Sequence, residues 1–129
     1  MIPYNRQSID NSDIRNVVRI LKSNYLTQGS TVEKFEKSVC QYTNSKYSVA
    51  VNSATSALHL ACLALGLNKN DYLWTVPNSF VASANCALHC NAKVDFVDID
   101  INNFNISVRY LETKLKLAKK TGKLPKILV

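Results

Sequence analysis

Apolar and polar positions along this chain follow two different periods, and the change between them predicts its organisation. Asn11 or Ser12 is placed to cap a first helix whose Ile14, Val17, Val18 and Leu21 fall on one stripe. Leu26-Thr27-Gln28-Gly29 reads as a turn. Ser30-Thr31-Val32-Glu33 has the pattern of a capping box, in which Ser30 and Glu33 satisfy each other's backbone N–H groups. It opens a second helix with Val32, Phe35, Val39 and Tyr42 on one side. From Tyr47 onward, short apolar runs alternate with helical stretches. Strand 47–51 precedes helix 55–65, closed by Gly66, strand 72–76 precedes helix 79–90, and strand 93–97 precedes helix 107–119. A last strand starts at Lys126.

Strand-helix alternation at this spacing predicts an α/β fold, a mainly parallel sheet with helices on both faces. An N-terminal helical arm over 1–45 precedes the α/β part over 46–129. The helices at 55–65 and 79–90 are apolar nearly all round, so both are expected to be buried on more than one side. Ile127-Leu128-Val129 opens a strand in which the chain stops, and the expectation is the front part of a longer protein.

Composition narrows the function classes. Of 129 residues, 47% are apolar and 19% charged, so a packed core is expected rather than disorder. The net charge of +7 could suit nucleic acid, but it is local. Residues 106–129 hold seven basic side chains (Arg109, Lys114, Lys116, Lys119, Lys120, Lys123, Lys126) against Glu112. That concentration reads as one solvated helix face, with no nucleic-acid partner. The four cysteines, Cys40, Cys62, Cys86 and Cys90, form no C-x-x-C pair and no secretory signal precedes them. They read as packed thiols in a reducing, cytoplasmic compartment, not as a metal site, because Cys86 and Cys90 lack two further ligands. No apolar run is long enough to cross a membrane.

The chemistry concentrates in Asn52-Ser53-Ala54-Thr55-Ser56-Ala57-Leu58-His59, between a strand-like and a helix-like stretch. A small, hydroxyl-rich turn there can bind an anion. The first N–H groups of a helix have no intrahelical partner, the helix dipole is positive at that end, and phosphate is its natural guest. The same residues also serve an ordinary helix cap, and local composition leaves both readings open. His59 and His89 lie in apolar helices and read as packed imidazoles. Asp98 and Asp100 follow a strand and serve turns or caps.

Several segments together resemble the DegT-type family of fold-type I aminotransferases, which use pyridoxal 5'-phosphate (PLP) and act on nucleotide-linked keto sugars. They are Ile2-Pro3-Tyr4 with Arg6-Gln7, Leu26-Thr27-Gln28-Gly29, Val51 to His59, Pro77-Asn78-Ser79-Phe80-Val81-Ala82-Ser83-Ala84-Asn85, and Asp95 to Asp100. They occur in family order and at family spacing. The opening arm and the 26–29 turn are most similar to the family branch that acts in pseudaminic acid biosynthesis. The resemblance implies the first part of a fold-type I large domain. It implies that Ala54, Thr55 and Ser56 bind the PLP phosphate and that Phe80 stacks on the pyridine ring, although position and apolarity alone would make Phe80 a core residue. Many members carry Gly where Ala54 stands. Tyr4, Asn24, Tyr25, Leu26 and Thr27 match positions near the sugar nucleotide.

The resemblance also implies what the chain lacks. The family's Schiff-base lysine and the acid that protonates the pyridine nitrogen come later, and none of the twelve lysines has the matching context. No catalytic residue is therefore assigned, and the chain alone is expected to be inactive. The implied function is transfer of an amino group, from glutamate, to a nucleotide-linked keto-deoxy sugar by a homodimer of the full-length enzyme. A PLP-dependent sugar dehydratase of the same family, with histidine replacing the lysine, and a non-catalytic phosphate-binding α/β module stay open.

Overall fold

The computed structural model describes residues 2–3, 5–27 and 29–129. The chain divides into two compact units, Met1–Ala50 and Val51–Val129.

The first unit carries helices α1 (Asn11–Leu21) and α2 (Ser30–Thr43). The capping box forms at α1, not at α2. Asp10 is the N-cap of α1; its carboxylate accepts the Ser12 and Asp13 N–H groups, and Asp13 in return accepts the Asp10 N–H at 3.0 Å. The Ser12 hydroxyl and the Asp13 and Ser12 N–H groups hold the Asp10 carboxyl below its ordinary value. Ser30 cannot cap α2 because it is already helical. Gly29 takes the cap position without a side-chain bond, and a Cβ there would meet Tyr25 Cβ at 3.1 Å, which favours glycine. The expected stripe on α1 exists, but Ile14, Val17, Val18 and Leu21 are all exposed and α1 buries no residue.

Residues 47–51 do not form the expected strand. A strand needs a ladder partner for its N–H and C=O groups, and this segment has none among the described residues. The Ala50 N–H instead donates to Glu36 Oε1 of α2 at 2.8 Å, which ties the stretch to the first unit.

The second unit contains α3 (Ala54–Ala64), β1 (Tyr72–Thr75), α4 (Ala82–His89), β2 (Lys93–Phe96), α5 (Val108–Thr121) and β3 (Ile127–Leu128). Its three strands are parallel, in the order β2-β1-β3, with Leu73 opposite Val94 and Ile127. Alternation along the central strand sorts the helices onto two faces. Leu73 packs with Cys62 and Leu58 of α3, Cys86 and Ala87 of α4, and Leu67, Cys90 and Ala92. Trp74 points the other way, into a cluster with Val97 and with Leu111, Leu115 and Ala118 of α5. Parallel strands and helices on both faces match the sequence expectation. Burial of α3 and α4 on more than one side does not: Leu60, Leu63 and Leu88 remain about half exposed, because the strand face and the neighbouring helix cover only one side of each.

Ser107 caps α5 by accepting the Tyr110 N–H, and Gly122 closes it at φ 69°, a left-handed conformation that glycine adopts without strain. Lys126 Nζ donates to the Gly66 carbonyl at 2.7 Å and pairs with Asp71 at 3.1 Å, fastening the start of β3 to the α3–β1 connection. Asp98 and Asp100 serve turns as expected, accepting the Ile99 and Asn102 N–H groups at 2.8 Å.

Candidate functional site

The hydroxyl-rich turn stands at the start of α3. Ser53 is the N-cap, in extended backbone, and its Oγ accepts the Ser56 N–H at 3.2 Å. Ser56 Oγ donates to Asn52 Oδ1 at 2.7 Å and lies 3.1 Å from Ser53 Oγ. Ser53 and Ser56 thus spend their polar groups inside the turn. Ala54 and Thr55 do not: their N–H groups and the Thr55 hydroxyl have no protein partner among the described residues, and both residues are exposed. Two free N–H donors and a hydroxyl at the positive end of a helix suit a phosphate oxygen.

Phe80 lies in the connection from β1 to α4 and is 74% exposed, so it is no core residue of this unit. The helix start expected at Ser79 is not found, and neither Asn78 nor Ser79 caps the helix. The helix begins at Ala82 with Val81 in the cap position and no side-chain cap bond. The Phe80 and Val81 carbonyls already accept the Ser83, Ala84 and Asn85 N–H groups, and Ser79 Oγ pairs with Ser83 Oγ at 3.0 Å. Phe80 therefore stands on a loop at the C-terminal edge of the sheet, where open α/β sheets bind ligands.

A cavity of about 290 Å³ lies beside Phe80, lined by Thr75, Pro77, Ser79, Ser83 and Phe96 among others. Ala54, Thr55 and Ser56 do not border it. Thr75 is 1% exposed and its hydroxyl has no partner. Leaving a buried hydroxyl unpaired costs about 1–3 kcal/mol. The sequence reading passed over Thr75, although the one aliphatic hydroxyl in the run Tyr72-Leu73-Trp74-Thr75-Val76 was its signal.

The opposite face of the sheet carries charge without an open site. Lys114 Nζ pairs with Asp95 at 2.8 Å, donates to the Phe96 carbonyl and stands 4.8 Å over the Trp74 ring. Burial pushes the Asp95 carboxyl up, but Lys114 and the Phe96 N–H outweigh it and hold the group below its ordinary value. Under α3 and α4, burial and the Cys86 thiol push the Cys62 thiol up to about 12. Burial likewise raises Cys90. The His59 and His89 rings pack 5.2 Å apart. Among the described residues, no three His, Cys, Asp or Glu side chains gather as a metal site.

In the first unit, Tyr25, Leu26 and Thr27 line another cavity of about 290 Å³ together with Arg19 and Lys34. Asn24 does not border it, and Tyr4 lies outside the described residues. The two cations are an addition to the sequence reading. Arg19 and Lys34 sit on different helices, and only the fold brings them to one cavity.

The chain has counterparts among known proteins. The model of the DegT/DnrJ/EryC1/StrS aminotransferase family matches residues 7–122. The UDP-4-amino-4,6-dideoxy-N-acetyl-beta-L-altrosamine transaminase of Campylobacter jejuni subsp. jejuni serotype O:23/36 (strain 81-176) is 47% identical over 115 residues, 89% of this chain and 30% of that protein. A putative sugar aminotransferase from Streptococcus pneumoniae, solved in its PLP form, superposes with a TM-score of 0.81 at 29% identity, covering 87% of this chain and 29% of that one. A GDP-4-keto-6-deoxymannose-3-dehydratase with a trapped PLP-glutamate geminal diamine superposes with a TM-score of 0.78 at 27% identity, covering 86% of this chain and 30% of that one. The chain spans about 30% of the length of the curated relatives it matches. On the family match over most of its residues and the sheet and helices it shares with solved members, this chain belongs to the DegT/DnrJ/EryC1/StrS aminotransferase family.

Proposed function

We propose that this chain is the front portion of a PLP-dependent nucleotide-sugar aminotransferase about as long as its relatives, referred to below as the full-length enzyme. The observation that carries this reading is the start of α3, where the Ala54 and Thr55 N–H groups and the Thr55 hydroxyl are free inside a chain matched by the aminotransferase family. The residues present fit the cofactor: a phosphate suits the helix end, and the exposed Phe80 ring offers a face to a flat heterocycle.

PLP, held by these residues, would supply the electron sink that lets an amino group pass from a donor amino acid to a keto carbon. The chain's own residues bind and orient. Ala54 and Thr55 hold the phosphate dianion against the positive end of α3, while Ser53 and Ser56 keep that end rigid. Ser56 shapes the cup through the cap more than through a free donor. Phe80 limits ring tilt. Tyr25, Leu26 and Thr27, with Arg19 and Lys34, take the anionic part of a nucleotide sugar, and the family resemblance adds Tyr4 and Asn24 as substrate-binding residues. The bond-making proton transfers need groups that these residues do not supply.

The similarity to the Campylobacter transaminase favours a UDP-4-keto-6-deoxy-N-acetyl-altrosamine substrate, and the motif resemblance adds glutamate as donor and a place in pseudaminic acid biosynthesis. A cytoplasmic homodimer fits that role. The dehydratase among the structural neighbours keeps one rival. Incubating the full-length enzyme with PLP, glutamate and the keto sugar separates them. Stoichiometric 2-oxoglutarate and amino sugar support the proposal; loss of a sugar hydroxyl without an amino sugar supports the dehydratase.

A further inference from the structure

We propose that Thr75 is a ligand-binding residue, and that the cavity beside Phe80 is a polar subsite whose missing element is an oxygen-bearing edge of the cofactor ring. This rests on the PLP reading above and extends it to a residue outside the matched motifs.

Thr75 closes the central strand. By alternation its side chain shares the face of Leu73, toward α4, where it borders the cavity with Ser83 and Ala84. Thr75 is 1% exposed and its hydroxyl is buried and unpaired. No neighbouring polar group among the described residues pairs with it. Ser79 and Ser83 are paired with each other at 3.0 Å, and the Ser83, Ala84 and Asn85 N–H groups are taken by the Phe80 and Val81 carbonyls. The rest of the lining is mostly apolar, with the Phe80 and Phe96 rings at its sides. A flat ring with one polar substituent matches that lining: the aromatic walls take the ring and the hydroxyl takes the substituent. A phosphate is the poorer match, because no cationic side chain lines the cavity. The two subsites therefore divide the ligand, with charge at α3 and ring at the end of β1.

Valine at this position keeps the shape and removes the hydroxyl. The test uses the full-length enzyme and pyridoxine 5'-phosphate, which lacks the aldehyde and reports non-covalent binding without labelling lysines. Wild type and Thr75→Ser should bind it alike. Thr75→Val should bind it roughly tenfold more weakly, a loss of about 1.4 kcal/mol, while its affinity for inorganic phosphate stays unchanged. Ligand-free Thr75→Val should melt no lower than wild type, since the lost hydroxyl had no partner. Wild-type affinity in Thr75→Val, or a lower ligand-free melting temperature, overturns the assignment of Thr75 and leaves the PLP reading standing. Failure of the wild type itself to bind pyridoxine 5'-phosphate overturns both.

Discussion

The turn before α3 and the connection before α4 both lead into an apolar helix, yet they treat their polar groups in opposite ways. The first is closed on itself: Ser53 caps, Ser56 braces Asn52, and at the helix start Ala54 and Thr55 keep donors free among the described residues. The second has no side-chain cap, leaves Phe80 in solvent and buries the Thr75 hydroxyl without a partner. A charged ligand needs a prepaid, rigid cradle, because reorganising dipoles around a phosphate would cancel much of the binding energy. A ring needs mainly a face and a space, and its pocket can stay half-built until the ligand arrives.

If that contrast is right, the largest effect of a substitution belongs to the free donor of the first turn. Thr55→Ala in the full-length enzyme should weaken PLP binding by roughly ten- to a hundredfold, from the loss of about 1.5–3 kcal/mol for a hydrogen bond to a charged group. Unchanged affinity in an absorbance titration would remove Thr55 from the phosphate cup. Ser53→Ala separates cap from ligand two residues away. It should lower stability by about 0.5–2 kcal/mol in chemical denaturation, with a smaller loss of PLP affinity than Thr55→Ala. The reverse order would mean that the cap residue is the true ligand.

On the second connection the effects are smaller. Phe80→Leu should leave the ligand-free melt unchanged, because the ring is exposed. It should weaken PLP by roughly two- to tenfold, from a loss of about 0.5–1.5 kcal/mol of stacking, and should shift the cofactor's absorption band. A lower ligand-free melt with normal PLP binding would make Phe80 a packing residue.

The smallest effect at working pH comes from the scaffold beneath α3 and α4. The buried Cys62 thiol is raised to about 12. Its neutral form is favoured by the fold, so the stability it lends is complete below the ordinary thiol range near 9. That stability is lost as pH rises from there toward 12. Melting temperature should fall over that window, and Cys62→Ala should flatten the fall. A Cys62→Ala profile parallel to wild type would show that the thiol does not drive it.

The same contrast explains what the sequence disclosed. The α3 turn was legible because a cap is a local pattern: Ser53 and Ser56 sit three residues apart, and helix geometry does the rest. The parallel sheet was legible from the spacing of apolar runs. The α4 entrance was misread for a related reason. Asn78-Ser79 looks like a cap, but main-chain turns at Phe80 and Val81 had already taken the donors. The capping box was placed on Ser30 because Ser-x-x-Glu is the familiar form, while Asp10 and Asp13 built one with two aspartates. Segment 47–51 has strand composition but no ladder, and composition does not report a partner. Arg19 and Lys34 join Tyr25 only through the fold, so no spacing rule finds them.

The central claim is that the start of α3 holds the cofactor's phosphate, and phosphorus NMR of the PLP-loaded full-length enzyme tests it most directly. Free phosphate monoesters titrate near pH 6. A dianion held by the Ala54 and Thr55 donors should resist protonation, giving one resonance whose position stays constant from about pH 5 to 8 and moves in Thr55→Ala. A resonance that titrates like the free ester, or one indifferent to Thr55→Ala, would contradict the account.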